Sequence, residues 1–102
     1  MKQYCAQHAK MIVKPGKRDE IIQRLSESIE FLKSIPGCVH YLISTTEEPD
    51  VVWISELWVS KEAKDGVATS PEAAKVMKDL MSLVVSVTDR TGMTVVGGFG
   101  VQ

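Results

Sequence analysis

Residues 54–66 read ISELWVSKEAKDG, and the change of character inside this stretch decides the fold. Ile54 to Val59 continues the apolar run VVWISELWV (51–59), which has the composition of a strand. Ser60 then has the chemistry of a helix N-cap, opening a short helical turn over 61–66. Glu56 and Trp58 stand two residues apart near the end of the strand, so they share one face of a sheet. Working outward, CVHYLISTT (38–46) is β-branched and aromatic, and EEPD (47–50) is turn chemistry. The two strands are therefore predicted to form a hairpin. Before it, Ile21, Leu25, Ile29 and Leu32 recur at three and four residues, opposed by Arg24, Glu27, Glu30 and Lys33, which predicts an amphipathic helix over 17–35. Asp19 and Glu20 lie in its first turn, where the helix dipole favours negative charge, and Pro36-Gly37 ends it.

At the N-terminus, YCAQHAKMIV (4–13) places Cys5, Ala9, Met11 and Val13 on one parity and Tyr4, His8, Lys10 and Ile12 on the other, a strand with one dry and one mixed face. Downstream, Ser70-Pro71-Glu72 is a strong helix start. The stripe Ala73, Met77, Leu80, Val84, Val87 extends that helix to about residue 87, leaving TGMTVVGGFGVQ (91–102) as the closing strand. The order βαββαβ fits an α+β, ferredoxin-like sandwich with strand order 4-1-3-2 and both helices on one face. By parity, Tyr4, Ile12, Val51, Trp53 and Leu57 lie on the uncovered face. An apolar sheet face of that size marks an interface, and a homodimer is the expected state.

The 102 residues are expected to form one domain spanning 1–102. With a net charge of −1 there is no electrostatic footprint for nucleic acid or an anionic membrane. No apolar run approaches the roughly 20 residues of a membrane span, and MKQYCAQHAK has no signal-peptide core, so a cytoplasmic location is expected. Cys5 and Cys38 are too few for a disulfide scaffold. They also lie on strands separated by a third, roughly 10 Å apart. Neither a Cys-x-x-Cys nor a His-x-His spacing occurs, and no metal site is expected. Gly97, Gly98 and Gly100 are followed by no helix that would make them a phosphate loop.

Segments VKPGKRDEIIQRL, IPGCVHYLIS and VVWISELWVSKEAKD with TSPEAAKVM resemble the antibiotic-biosynthesis monooxygenase family over residues 8 to 100. The resemblance implies a dimeric α/β barrel, two sheets packed back to back, with a cavity between each subunit's own sheet and helices. In members that oxidise polycyclic phenols without a cofactor, an asparagine and a tryptophan stand four apart on the third strand, and a tyrosine and an arginine follow on the helices. Trp58 matches the tryptophan, while Ile54, Lys64 and Met77 stand at the other three positions. Haem-degrading members carry an asparagine, a tryptophan and a histidine where this chain has Ala9, Val67 and Met77, and no haem is expected. Many quinol-oxidising relatives have a histidine where GVATSP has Val67.

Two readings follow. In the first, the chain is a monooxygenase acting on a quinol or electron-rich phenol with O₂ and no cofactor. Glu56, held out of water, is the first candidate base and His40 the second. Trp58 and Ile54 would wall the substrate site, with Met77 and Met81 adding an adaptable surface for a flat ring. In the second, the same fold binds a hydrophobic or aromatic small molecule without catalysis, as the replaced family side chains favour. The structural role for Trp58 and Glu56 is a core aromatic beside a locally paired carboxylate.

Overall fold

The computed structural model describes residues 3–100. Strand β1 spans Cys5–Val13, helix α1 Arg18–Lys33, β2 Cys38–Ser44, β3 Val51–Trp58, α2 Lys61–Ala68, α3 Pro71–Met81 and β4 Val84–Thr94. All pairings are antiparallel and the order is β2-β3-β1-β4, the predicted ferredoxin-like α+β arrangement. The four strands form an open sheet with the helices on one face.

Local chemistry explains the helix boundaries. Ser60 and Ser70 each accept a hydrogen bond from the N–H three residues on, Ala63 at 3.1 Å and Ala73 at 3.2 Å, and Pro71 occupies the first turn of α3. Between α1 and β2, Gly37 adopts φ +105°, a conformation that L side chains rarely take. Its carbonyl accepts from Val59 N at 2.8 Å, and α2 packs so closely that a Cβ there would sit 2.7 Å from Ala63 Cβ. The hairpin turn ends on Asp50 at φ 58°, whose Oδ1 accepts from Gly16 N at 3.0 Å and ties this turn to the β1–α1 connection.

The core lies between sheet and helices. Met11, Val13, Val52, Ile54 and Val84 from the strands meet Ile21, Leu25, Leu80 and Leu83. Each fully buried aliphatic side chain contributes about 1.5–3 kcal/mol.

The end of the chain differs from expectation. Helix α3 stops at Met81, and Val84 and Val87 belong to β4, opposite Val13 and Met11. Both point into the core because the register shifts between Ile12 and Val13, leaving Val85 as an extra residue. That bulge puts strand residues three apart on one face, imitating a helical period. The β-branched run VVSVT favours the strand. After Thr94 the chain has no regular element as far as residue 100, apart from a Val95 N to Tyr4 O bond of 3.1 Å, and residues 101–102 of the predicted strand lie outside the described residues.

On the outer face, Ile12 pairs with Val51, Lys10 with Trp53 and Ala6 with Leu57, as parity predicts. Trp53 is half-buried, with His8 edge-on at 5.9 Å and the Lys10 ammonium 6.0 Å from its centroid, and Lys10 also pairs with Glu48 at 3.1 Å. Leu42 and Met93 stay exposed on the same face. Among the described residues no helix is long and apolar enough to cross a membrane.

Candidate active site

The register of the sheet assembles the site. On the helix-facing side, Tyr41 of β2 lies opposite Glu56 of β3, Glu56 opposite Gln7 of β1, and Gln7 opposite Gly92 of β4. One polar row therefore crosses all four strands. The row behind it is apolar, Ile43, Ile54 and Ala9; the row in front holds Cys38, Trp58 and Cys5. Above the polar row is a cavity of about 460 Å³. Its walls are Leu25, Phe31 and Leu32 of α1, Val67 and Ala68 of α2, and Ala73, Val76, Met77 and Leu80 of α3. Gln7, Tyr41, Glu56 and Trp58 form its floor, and Lys64 and Arg90 also reach it.

The pairing of Glu56 with Trp58 has a direct explanation. Trp58 Nε1 donates to Glu56 Oε1 at 3.0 Å. The indole is 2% exposed, so the bond satisfies a donor that burial would otherwise strand, and it fixes the carboxylate along the floor. Oε2 of Glu56 makes no hydrogen bond or ion pair among the described residues. Tyr41 faces this carboxylate. Burial, and then the charges of Glu56 and Cys38, push its phenol well above the ordinary value near 10, so it stays a donor through the physiological range. Burial, and then Glu56, push the Cys38 thiol up as well.

Of the residues singled out from the sequence, Glu56, Trp58 and Met77 line the cavity. Ile54 is buried in the core below it, and Met81 is 51% exposed outside it. His40 is not brought to the site. The register shift between Cys38 and His40 makes Val39 an extra residue, so His40 lies opposite Leu57 on the outer face while Cys38 faces the helices. Tyr41, Gln7 and Arg90 were missed. Gln7 carries a readable signal, since it is the single polar residue on the dry parity of β1. Tyr41 follows from pairing the hairpin opposite Glu56. Among the described residues no three His, Cys, Asp or Glu side chains gather as a metal site, and Cys5 and Cys38 are free thiols flanking Trp58.

The family model for antibiotic biosynthesis monooxygenases matches residues 5–79, from β1 through most of α3. The chain belongs to this family. Solved structures agree with the fold. A protein from Chloroflexus aurantiacus J-10-fl assigned to the antibiotic biosynthesis monooxygenases is 28% identical, with TM-score 0.83 over 97% of this chain and 99% of that one. A protein from Caulobacter crescentus CB15 with the same assignment superposes with TM-score 0.86 at 17% identity, covering 94% and 92% of the two chains. SnoaB, a cofactor-independent oxygenase from Streptomyces nogalater, superposes with TM-score 0.83 at 12% identity, covering 96% and 98%. Among curated proteins no sequence match reaches significance. As a member of the antibiotic biosynthesis monooxygenases, the chain keeps the cavity between sheet and helices, but Tyr41 brings a phenol to it from β2, while Lys64 stands where the family resemblance places a helical tyrosine.

Proposed function

We propose that the chain is a cofactor-independent monooxygenase that oxidises a quinol or electron-rich phenol with O₂. The observation that carries this reading is the Trp58–Glu56–Tyr41 cluster on the floor of a largely apolar cavity. Chemistry of this kind asks the protein for a base, a donor to the developing anion and the exclusion of water. Glu56 accepts the substrate hydroxyl proton at Oε2 while Trp58 holds Oε1. The resulting anion is electron-rich enough to pass one electron to O₂, giving a substrate radical and superoxide. Their recombination forms a carbon–oxygen bond, and the peroxide takes a proton. Loss of water leaves the new oxygen on carbon: a quinol C–H plus O₂ gives a hydroxyquinone plus water, and an anthrone CH₂ plus O₂ gives the ketone plus water. Tyr41 donates its hydroxyl hydrogen to the anion. The aliphatic and aromatic walls from the three helices give the ring an apolar surface above this polar row, which a bound ligand would cover against water.

The test is O₂ uptake with a panel of naphthoquinols and anthrones, chelator present and flavin absent. Glu56→Gln is expected to lose rate with binding retained. Wild-type uptake no faster than autoxidation, with ligand binding intact, would favour the non-catalytic binding module. The outer face, with Trp53, Leu57, Ile12, Leu42 and Met93, is proposed to pack against a second copy, burying about 800 Å² per subunit. Trp53→Lys is then expected to shift sedimentation toward monomer.

A further inference from the structure

We propose that Lys64 and Arg90 form an anion subsite at the β4 end of the cavity, so that the ligand is an aromatic carrying a carboxylate or a second ionised oxygen at the end opposite its reacting hydroxyl. The inference rests on the cavity being the ligand site.

Three observations carry it. First, both cations line the cavity, and neither makes an ion pair or hydrogen bond with another described residue. The ion pairs among the described residues use Lys10, Lys17, Arg24, Lys33 and Lys61 instead. The one carboxylate on the cavity, Glu56, bonds Trp58 and neither cation. Second, the backbone is deformed where Arg90 sits. Lys10 pairs with Thr88 and His8 with Thr91, so residues 89 and 90 both oppose Ala9. Asp89 takes φ 50°, an unfavourable conformation for a residue other than glycine. This bulge brings Arg90 to the cavity in place of the outer face, where even alternation from Thr88 would leave it. Third, the polar row ends on Gly92, where a Cβ would lie 3.9 Å from Lys64 Nζ. The absent side chain leaves the Lys64 ammonium over bare backbone, one same-face step along β4 from Arg90.

Two cations without a protein counter-charge offset the desolvation cost of a carboxylate that enters between them, and a guanidinium gives it a directed, two-point contact. Glu56 and Gly92 are two strands apart, about 10 Å. A two- or three-ring aromatic spans that distance, with its hydroxyl at Glu56 and Tyr41 and its anionic group at Lys64 and Arg90. The family match ends at residue 79, so Arg90, Gly92 and the bulge lie beyond the matched segment.

The experiment is calorimetric titration of the full chain with two stable probes, 6-hydroxy-2-naphthoate, whose hydroxyl and carboxylate stand at opposite ends of the two rings, and 2-naphthol, at low and high salt. The expected result is at least tenfold tighter binding of the carboxylate probe, a preference that shrinks with salt. Lys64→Met and Arg90→Met should each cut that ratio several-fold, and the double variant should bring it close to one. Equal affinity for both probes in wild type, or a preference that survives the double variant, would overturn the subsite while leaving the cavity reading in place. Absence of binding by either probe to a folded protein would overturn both.

Discussion

Gly37→Ala tests the packing that holds α2, and with it Lys64 and Val67, against the end of the sheet. Two costs can be read from the geometry. At φ +105° an alanine sits in a region open to glycine alone, at about 1–3 kcal/mol. Its methyl would lie 2.7 Å from Ala63 Cβ and 3.1 Å from Val59 Cγ2. Ala63 has no rotamer with which to yield, so the helix or the turn must move, at a further 1–3 kcal/mol or so. Together these give a loss of about 2–6 kcal/mol, and about 3–4 kcal/mol when each cost sits near the middle of its range. With an unfolding entropy of about 2.1 cal/mol/K per residue, the midpoint should fall by about 15 °C. Thermal melting and urea denaturation both read this. Adding Ala63→Gly removes the steric part and leaves the backbone part. The pair should therefore show a favourable coupling of about 1 kcal/mol or more, even though glycine in a helix costs about 1 kcal/mol by itself. A Gly37→Ala loss below about 1 kcal/mol, or no coupling to position 63, would refute the account.

The other expectations concern the site. Trp58→Phe keeps a ring but removes the donor to Glu56; oxygen uptake should fall about tenfold, while the same change made in the Glu56→Gln background should cost little more, because Trp58 acts through that carboxylate. Tyr41 has a folded-state pKa above its unfolded value near 10, so its contribution to stability is whole below pH 10 and lost as pH rises from there toward the folded value. Denaturation between pH 9 and 11.5 should show a wild-type decline steeper than that of Tyr41→Phe by up to about 1.4 kcal/mol per pH unit, the variant keeping only the part due to other groups such as Cys38. Haemin titration should give no stoichiometric Soret band, since Met77 stands where the resemblance places a histidine and His8 and His40 both lie on the outer face; a sharp band would reveal another ligand.

What was legible in the sequence was local. The hairpin, the amphipathic face of α1 and the serine caps each depend on residues within a few positions of one another, and all appear in the fold. The failures trace to places where the two-residue period breaks. Val39, Val85 and the 89–90 pair are extra residues in the ladder, and each reverses the face of whatever follows. At Val39 the bulge carries His40 away from the cavity that Cys38 faces. At Val85 it lets Val84 and Val87 imitate a helical spacing. At 89–90 it turns a surface arginine toward the cavity. A bulge leaves little trace in composition, because the extra residue can be of almost any type.

The same reasoning explains why Glu56 and Trp58 were visible while their partners were not. They are neighbours in sequence on one strand, so parity alone joins them. Tyr41, Gln7 and Gly92 join the row only through the register of three strand pairings, which the turns, the apolar pattern and the bulges set together. A one-residue slip of β1 against β3 would replace Gln7 by Ala6 or His8 and push the core residues Ala9, Met11 and Val13 toward solvent. The burial of those three side chains, which holds the sheet together, is therefore also what fixes the polar row beneath the cavity. A substitution that weakens the β1 core is expected to disturb the chemistry of Glu56 without touching it.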